Sequence, residues 1–249
     1  MKVWLVLAFL ELMACSSFDV PAEFKYKEIQ TSSFKIATWQ KITDNNAPFK
    51  IYIEGDGFAF RANGRISSNP TPRGTLVREL AFGDKHQNVI YLARPCQFVT
   101  DAICQPQDWS VARFSEKAVQ AQYEAVKQIT GNSSLTLVGF SGGAQIAGLM
   151  AVKYSDLKID KLVTVAGNLD VIRWTEYHHL PPLNLSLDLH NYRNAYGKFN
   201  QVHYIGADDD NIVPEITRLF VINPHNLIIV EGADHNTGWE KVYERIRQE

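Results

Sequence analysis

Short apolar runs that alternate with helical patterns constrain the fold of this chain more than any other feature. The unbroken apolar run "NVIYLA" (88–93) is typical of a strand that is buried on both faces, and "KLVTVAG" (161–167) is a further predicted strand. Helical patterns separate such runs, including residues 110–129, for which Ser110 is the expected N-cap. Strands alternating with helices predict an α/β fold, a mostly parallel sheet with helices on both faces.

An N-terminal antiparallel hairpin is expected at the start of this sheet. Residues 33–42 and 49–54 alternate between polar and apolar side chains, and the turn-forming segment "TDNNAP" joins them. Helices are predicted to begin near Thr75 and Gly238. Functional residues of a mostly parallel sheet belong at the carboxyl ends of its strands.

Size and charge limit the classes of protein to consider. The chain has 249 residues, of which 45% are hydrophobic and 21% charged, so it can form a full core, and we expect one domain over residues 32–249. The formal net charge is -2 and no basic cluster occurs. Binding to a phosphate backbone needs such a cluster, so nucleic acid is not an expected partner.

The N-terminus predicts export. Residues 1–14 combine Lys2 with an apolar run that Glu11 interrupts before the roughly 20 residues needed to span a bilayer, which is typical of a signal peptide. The following "LMAC" resembles the bacterial lipobox, which implies that Cys15 is lipidated after cleavage and becomes the new N-terminus. The alternative is an ordinary secretory signal that is cleaved nearby.

A lipidated Cys15 would anchor the protein without a transmembrane helix. By the same resemblance, Ser16 favours the outer membrane of a bacterial cell envelope. Residues 15–31 are then expected to be the lipidated N-terminus and a polar tether ahead of the folded domain.

Two cysteines remain besides Cys15. An even number of cysteines in an exported chain predicts a disulfide bond, here between Cys96 and Cys104. Two free thiols are the alternative.

"GFSGG" (139–143) is the motif with the clearest chemical meaning. It fits G-x-S-x-G, in which a nucleophilic serine lies on a tight turn between a strand and a helix and the glycines avoid clashes. The apolar "SLTLVGF" precedes Ser141 and a small-residue helical pattern follows it, which is the context that the motif requires. A plain glycine-rich turn is the alternative.

A serine nucleophile needs a base and a carboxylate that orients the base. Of the seven histidines, His235 follows the last predicted strand directly, in "GADHNTGW". The acid is expected between the serine and the histidine in the chain. Asp208, Asp209 and Asp210 end the penultimate strand, and Asp170 follows the strand before it. The three successive acids could instead form a solvated turn or part of a calcium site.

"GFSGGA", "GADDDNIVP" and "GADHNTGW" together resemble the α/β-hydrolase family over nearly all of the chain beyond residue 30. The resemblance implies the α/β-hydrolase fold with a catalytic triad of Ser141, Asp210 and His235. Asp210 is preferred because its spacing to Pro214 matches the acid loop of the family, and Asp209 is the nearest alternative.

An oxyanion hole, which is two backbone N–H groups that stabilise the tetrahedral intermediate, is also expected. Gly142 would supply one N–H. Asp56, with Gly57 as the alternative, would supply the other from "EGDGF", where Glu54 replaces the histidine common in the family.

Residues 171–200 form an unusually long connection that is rich in aromatic side chains. They are expected either to form a small lid, in which Trp174, Tyr177 and Tyr192 line an acyl pocket, or to be a crossover helix with an irregular loop.

These features predict a serine hydrolase of the esterase or lipase type, acting on a small or lipid-like acyl substrate. A thioesterase, peptidase or acyltransferase would use the same residues, and a non-catalytic lipoprotein could keep the fold for binding. No cofactor or metal is expected, since the sequence has no H-E-x-x-H, C-x-x-C or P-loop pattern.

Overall fold

The protein is built around one eight-stranded sheet with the strand order β1-β2-β4-β3-β5-β6-β7-β8. The computed structural model describes residues 19–99 and 101–249. The predicted signal peptide and Cys15 lie outside the described residues. The strands are β1 (Lys25–Gln30), β2 (Lys35–Ile42), β3 (Phe49–Ile53), β4 (Asn88–Leu92), β5 (Ser134–Phe140), β6 (Lys158–Val165), β7 (Gln201–Gly206) and β8 (Leu227–Val230).

All pairings from β4 through β3 to β8 are parallel, and the pairings of β2 with β1 and with β4 are antiparallel. The predicted fold class, a mostly parallel sheet with antiparallel strands at its N-terminal end, is therefore confirmed.

The position of the antiparallel hairpin differs from the prediction. β2 and β3 were expected to pair, but β4 lies between them, and the hairpin is formed by β1 and β2. The side chain of Asn88, the first residue of β4, donates hydrogen bonds to the carbonyls of Asp44 and Ala47 in the connection between β2 and β3. This connection is therefore fixed across the end of β4. A polar connection of this length suits either arrangement, so the local sequence does not reveal the inserted strand.

β1 also corrects the predicted extent of the tether. Residues 15–31 were expected to be a tether, yet Lys25–Gln30 pair along their whole length with Gln40–Lys35 of β2. β1 is an edge strand whose residues are mostly exposed, so its polar composition resembles that of a linker.

Seven α-helices cover the sheet: α1 (Leu76–Phe82), α2 (Glu116–Thr130), α3 (Gly142–Lys153), α4 (Val171–Tyr177), α5 (Arg193–Tyr196), α6 (Pro214–Phe220) and α7 (Tyr243–Gln248) among the described residues. Short 3-10 helices occupy Pro106–Trp109, Leu189–Tyr192, Pro224–Asn226 and Glu240–Val242. α1 begins next to Thr75, close to the expected position. The last helical segment begins at Glu240 rather than Gly238.

α2 begins later than predicted. Its N-cap is Ser115, whose side chain accepts a hydrogen bond from the N–H of Ala118, and not Ser110. The Ser110 hydroxyl instead donates to the carbonyl of Pro106, at the end of a 3-10 helix. Either serine could cap a helix through its hydroxyl oxygen. The helix starts at the second one because a turn separates Ser110 from it.

Two apolar cores lie on opposite faces of the sheet. Ile90 of β4 belongs to the core under α2 and α3, whereas its neighbours Val89 and Tyr91 belong to the core under α1 and α7. This alternation explains why the central strands are apolar throughout. No helix in the described part of the chain is both long and apolar enough to cross a bilayer.

His203 of β7 is buried within the sheet. Its burial is expected to make the folded protein less stable in acid. Its Nδ1 lies 2.9 Å from Thr164 Oγ1 and its Nε2 lies 2.7 Å from Gln201 Oε1. Burial lowers the pKa of the imidazole to about 3. Below pH 6.5 the unfolded chain therefore binds a proton that the folded protein excludes, so stability is lost as the pH falls.

We expect the free energy of unfolding to drop by about 2–3 kcal/mol between pH 7 and pH 4.5 through this one group. Urea unfolding at the two pH values measures the drop for the wild type and for His203→Asn. The variant should be less stable at pH 7 and lose less on acidification. An equal loss in both proteins would show that His203 does not carry the effect.

Candidate active site

Ser141 lies at the turn between β5 and α3, as the motif predicts. Its backbone has φ 49° and ψ -120°, a region that L-residues seldom adopt. The turn is held on both sides, because the N–H of Ser141 donates to the Val165 carbonyl at 3.1 Å and its carbonyl accepts from the N–H of Asn168 at 3.0 Å. These bonds to the neighbouring connection stabilise a strained conformation that holds the serine at the carboxyl end of β5, where it lines a cavity.

The glycines of the motif allow the backbone to pack closely. A Cβ atom at Gly143 would lie 2.4 Å from the carbonyl oxygen of Ile53 and 2.6 Å from that of Glu54. A side chain at this position would therefore push the start of α3 away from the end of β3.

His235 reaches the serine from the loop after β8. Its Nε2 lies 3.1 Å from Ser141 Oγ, which is hydrogen-bond distance, and its ring packs against Phe140 with the ring centroids 5.2 Å apart. The loop is fixed by Asp234, whose Oδ1 accepts hydrogen bonds from the N–H groups of Asn236 and Thr237. The histidine is therefore presented by a rigid turn.

The carboxylate that contacts His235 belongs to Asp209 and not to Asp210, the residue that the sequence favoured. Asp209 Oδ2 lies 2.9 Å from His235 Nδ1, and Asp209 Oδ1 accepts hydrogen bonds from the N–H groups of Asn211 and Ile212 at 2.9 and 2.8 Å. Asp209 is 3% exposed, whereas Asp208 and Asp210 are exposed. The turn after β7 directs one of three successive carboxylates inward, and spacing along the chain does not reveal which one.

Asp170, the other alternative, lies elsewhere. It caps α4 by accepting from the N–H of Arg173, and it contacts His190 Nδ1 at 2.9 Å. These contacts show a structural role at the start of α4.

Gly142 and Asp56, the two residues predicted to supply oxyanion donors, are adjacent in space. Gly142 is the first residue of α3, so its N–H has no partner within the helix. A Cβ at Gly142 would lie 2.1 Å from Asp56 Oδ1, and a Cβ at Gly55 would lie 3.2 Å from the Cβ of Ser141. The segment 54–57, named here the β3 loop, therefore passes directly beside the serine. The alternative donor, Gly57, has φ 64° and packs against the Pro70 carbonyl.

An arginine pair that the sequence reading missed holds the side chain of Asp56. Arg94 Nη1 lies 3.3 Å from Asp56 Oδ1, and Arg113 Nη1 lies 3.2 Å from Asp56 Oδ2. Both arginines are about 5% exposed. Burial lowers the pKa of Arg94 to about 10, so its guanidinium stays protonated at neutral pH. Two buried cations thus share one carboxylate beside Ser141.

Glu54, which occupies the position of the family's common histidine, holds the start of the β3 loop. Its Oε1 accepts from the N–H of Gly55 at 2.9 Å and its Oε2 accepts from the Tyr91 hydroxyl at 2.6 Å. Burial raises the pKa of the Glu54 carboxyl above its ordinary value. The loop is fixed by these bonds although the usual residue is absent.

The disulfide bond supports the same loop. Cys96 and Cys104 are joined, as predicted. Next to Cys96, the Gln97 side chain donates to the Gly55 carbonyl at 3.0 Å and accepts from the N–H of Arg94 at 3.0 Å. The closed segment therefore connects the β3 loop to the end of β4.

Removal of this disulfide should lower stability. For the double variant Cys96→Ser/Cys104→Ser we expect the free energy of unfolding to fall by about 2.5 kcal/mol, because the unfolded chain gains the freedom of an open loop. Denaturant titration of the variant, and of the wild type with reductant present, measures the change. A midpoint that neither treatment moves would contradict this expectation.

The serine opens into a cavity of about 440 Å³. Besides Ser141 and His235, its lining combines aromatic and charged side chains: Phe58, Phe60, Phe140, Trp174, Glu54, Asp56, Arg73 and Arg113. Of the three aromatic residues expected from residues 171–200, only Trp174 lines this cavity. Tyr177 is 57% exposed, and Tyr192 lines a separate depression beside α4. Whether residues 171–200 move as a lid stays a prediction.

Within residues 19–99 and 101–249, the His, Cys, Asp and Glu side chains form no group of three or more that could hold a metal ion.

Comparison with known proteins identifies the fold. A family model described as alpha/beta hydrolase fold matches residues 93–203, which include Ser141 but neither Asp209 nor His235. Est1E from Butyrivibrio proteoclasticus superposes with a TM-score of 0.62 over 91% of this chain and 97% of its own, at 12% identity. The chain has the α/β-hydrolase fold.

Other solved hydrolases have the same architecture. An esterase from Pyrococcus furiosus has a TM-score of 0.59 at 18% identity, over 91% of each chain. A bacterial membrane phospholipase A has a TM-score of 0.58 at 16% identity, over 91% of this chain and 84% of its own. No curated protein has a significantly similar sequence. At these identities the likeness shows the fold alone.

Proposed function

We propose that this protein is a serine hydrolase that cleaves an ester or a related acyl bond through an acyl-enzyme. The observation that carries the proposal is the hydrogen-bonded chain from Asp209 through His235 to the Ser141 hydroxyl, with heavy-atom distances of 2.9 and 3.1 Å. This arrangement fits the roles of orienting carboxylate, general base and nucleophile.

In the proposed reaction, His235 Nε2 accepts the hydroxyl proton while Ser141 Oγ attacks the acyl carbon. The same proton then passes to the leaving alcohol, and water repeats the sequence to release the acid. Asp209 keeps the proton of neutral His235 on Nδ1 and stabilises the imidazolium that forms. The backbone N–H groups of Gly142 and Asp56 would bind the oxyanion.

The cavity supports a small or lipid-like acyl substrate, since it combines aromatic walls with a few polar groups. The same residues could act on a thioester or an amide, or transfer the acyl group to another acceptor. The Pyrococcus furiosus esterase among the structural neighbours favours ester hydrolysis. A non-catalytic binding protein is the competing class.

Labelling with a fluorophosphonate probe tests the proposal. The wild type should react once per chain, because the probe needs an activated serine, and Ser141→Ala should not react. Circular dichroism of both proteins provides the control for folding. A folded wild type that resists the probe and hydrolyses no ester would favour the binding class.

We also propose that Cys15 is lipidated and anchors the domain in the bacterial cell envelope, as the "LMAC" sequence suggests. Cys15→Ser should move the protein from the membrane fraction to the soluble fraction and abolish incorporation of labelled palmitate. Unchanged membrane association and labelling would rule out this anchor.

A further inference from the structure

Two buried guanidinium groups share one carboxylate beside the β3 loop. Arg94 and Arg113 both contact Asp56, whereas Glu54 accepts hydrogen bonds from the Gly55 N–H and the Tyr91 hydroxyl. Asp209 accepts hydrogen bonds from His235 and two backbone N–H groups and does not line the cavity.

Arg113 brings this charge to the cavity wall. Its side chain is 6% exposed and lines the cavity together with Ser141. The guanidinium is framed by aromatic rings, with its central carbon 5.7 Å from the Phe60 centroid and 5.5 Å from the Trp174 centroid. Its polar contact among the described residues is Asp56, which Arg94 shares, and its Nε has no hydrogen-bond partner there. The charge of Arg113 is thus only partly compensated.

Arg73 adds a second cation at the mouth of the same cavity. Its guanidinium stacks over the Phe58 ring at 3.5 Å, and the residue is exposed. Arg73 belongs to the segment 59–74, which contains three arginines and no acidic residue and lines the cavity with its two ends. An uncharged acyl substrate would gain nothing specific from these cations, whereas an anionic group can form charge-assisted hydrogen bonds with guanidinium groups.

We propose that the ester accepted by this site carries an anionic group, a carboxylate or a phosphate, which Arg113 and Arg73 bind while Ser141 attacks the acyl carbon. The inference rests on the proposed serine-hydrolase function and names its substrate class. The anion can belong to the acyl part or to the alcohol part of the ester, and the experiment separates the two.

Two matched pairs of esters test the proposal. For the acyl part, the 4-nitrophenyl monoester of adipic acid is compared with the corresponding adipamic acid ester. For the alcohol part, the butyrate ester of 4-hydroxybenzoate is compared with that of 4-hydroxybenzamide. Within each pair a carboxylate replaces a carboxamide of nearly the same shape. The wild type should prefer the anionic member of at least one pair by about 10- to 100-fold in kcat/KM.

Variants locate the preference. Arg73→Gln and Arg113→Gln should each lower the ratio of anionic to neutral kcat/KM by about tenfold, and Arg73→Lys should retain part of it. Arg65→Gln is the matched control, because Arg65 lies on the same segment, is exposed and does not line the cavity. Its ratio should equal that of the wild type.

Three results would overturn the proposal. One is a wild type that hydrolyses the neutral esters and reacts with fluorophosphonate but shows no anionic preference in either pair, which leaves the serine-hydrolase function intact. Another is a preference that survives both Arg73→Gln and Arg113→Gln. The third is a preference that falls equally in Arg65→Gln. That result would indicate a general electrostatic attraction by the basic surface and not binding in the cavity. A wild type that neither labels nor hydrolyses any ester would contradict the proposed function itself, and the substrate class with it.

Discussion

Asp209→Asn should lower kcat for ester hydrolysis by about 10⁴-fold, whereas Asp210→Asn should change kcat by less than about threefold. The N–H groups of Asn211 and Ile212 would hold the amide oxygen at the Oδ1 position, so the amide NH2 would face His235 Nδ1 and donate to it. The imidazole would then favour the tautomer that presents N–H to Ser141 Oγ. Asp210 is exposed, and the carboxylate that contacts His235 is that of Asp209. Solvent therefore screens the effect of the Asp210 charge on the imidazole.

The two aspartates are a matched pair, since they are adjacent and of the same chemical type. Steady-state kinetics on one aryl ester, with circular dichroism and thermal unfolding for each variant, measures the effect. Equal losses in the two variants would contradict the assignment of Asp209. A large loss in Asp210→Asn alone would restore the assignment based on sequence spacing.

Gly143→Val should both destabilise the fold and disable the site. The nearest atoms to a Cβ at this position are the carbonyl oxygens of Ile53 and Glu54, which belong to the backbone and cannot rotate away. Relief of the clash requires α3 to move away from β3, which we expect to cost about 3 kcal/mol of unfolding free energy. The same movement would displace Ser141 from His235 and lower kcat/KM by about 100-fold.

Gly74→Ala is the control for stability, because no atom lies within 4 Å of a Cβ placed there. Its free energy of unfolding should stay within about 0.5 kcal/mol of the wild type. Denaturant titration and the aryl ester assay together measure both effects. A Gly143→Val protein with the stability and activity of the wild type would show that α3 and β3 need not approach so closely.

The sequence predicts those parts of the structure that depend on local patterns. Ser141 could be located because the strand, the glycines and the small-residue helix are all within one continuous segment. His235 could be selected because it follows the last strand directly. The parallel sheet could be predicted because strands buried on both faces, such as β4, are apolar throughout.

Features that depend on contacts between segments far apart in the chain could not be predicted from local sequence patterns. The insertion of β4 between β2 and β3 is a pairing between segments far apart in the chain. Asp209 and Asp210 are chemically identical neighbours, and only the turn after β7 distinguishes them. The arginine pair on Asp56 joins residues from three separate connections, so no spacing in the sequence marks it.

The central claim is that Ser141 forms a covalent bond with the acyl group, with His235 and Asp209 as its partners. Acid quenching during turnover of a 4-nitrophenyl ester, followed by mass spectrometry of the proteolytic peptides, tests this claim most directly. The predicted result is one acyl group on the peptide that contains Ser141, formed with a burst of nitrophenol. Hydrolysis with no covalent species on that peptide, at a rate unchanged in Ser141→Ala, would contradict it.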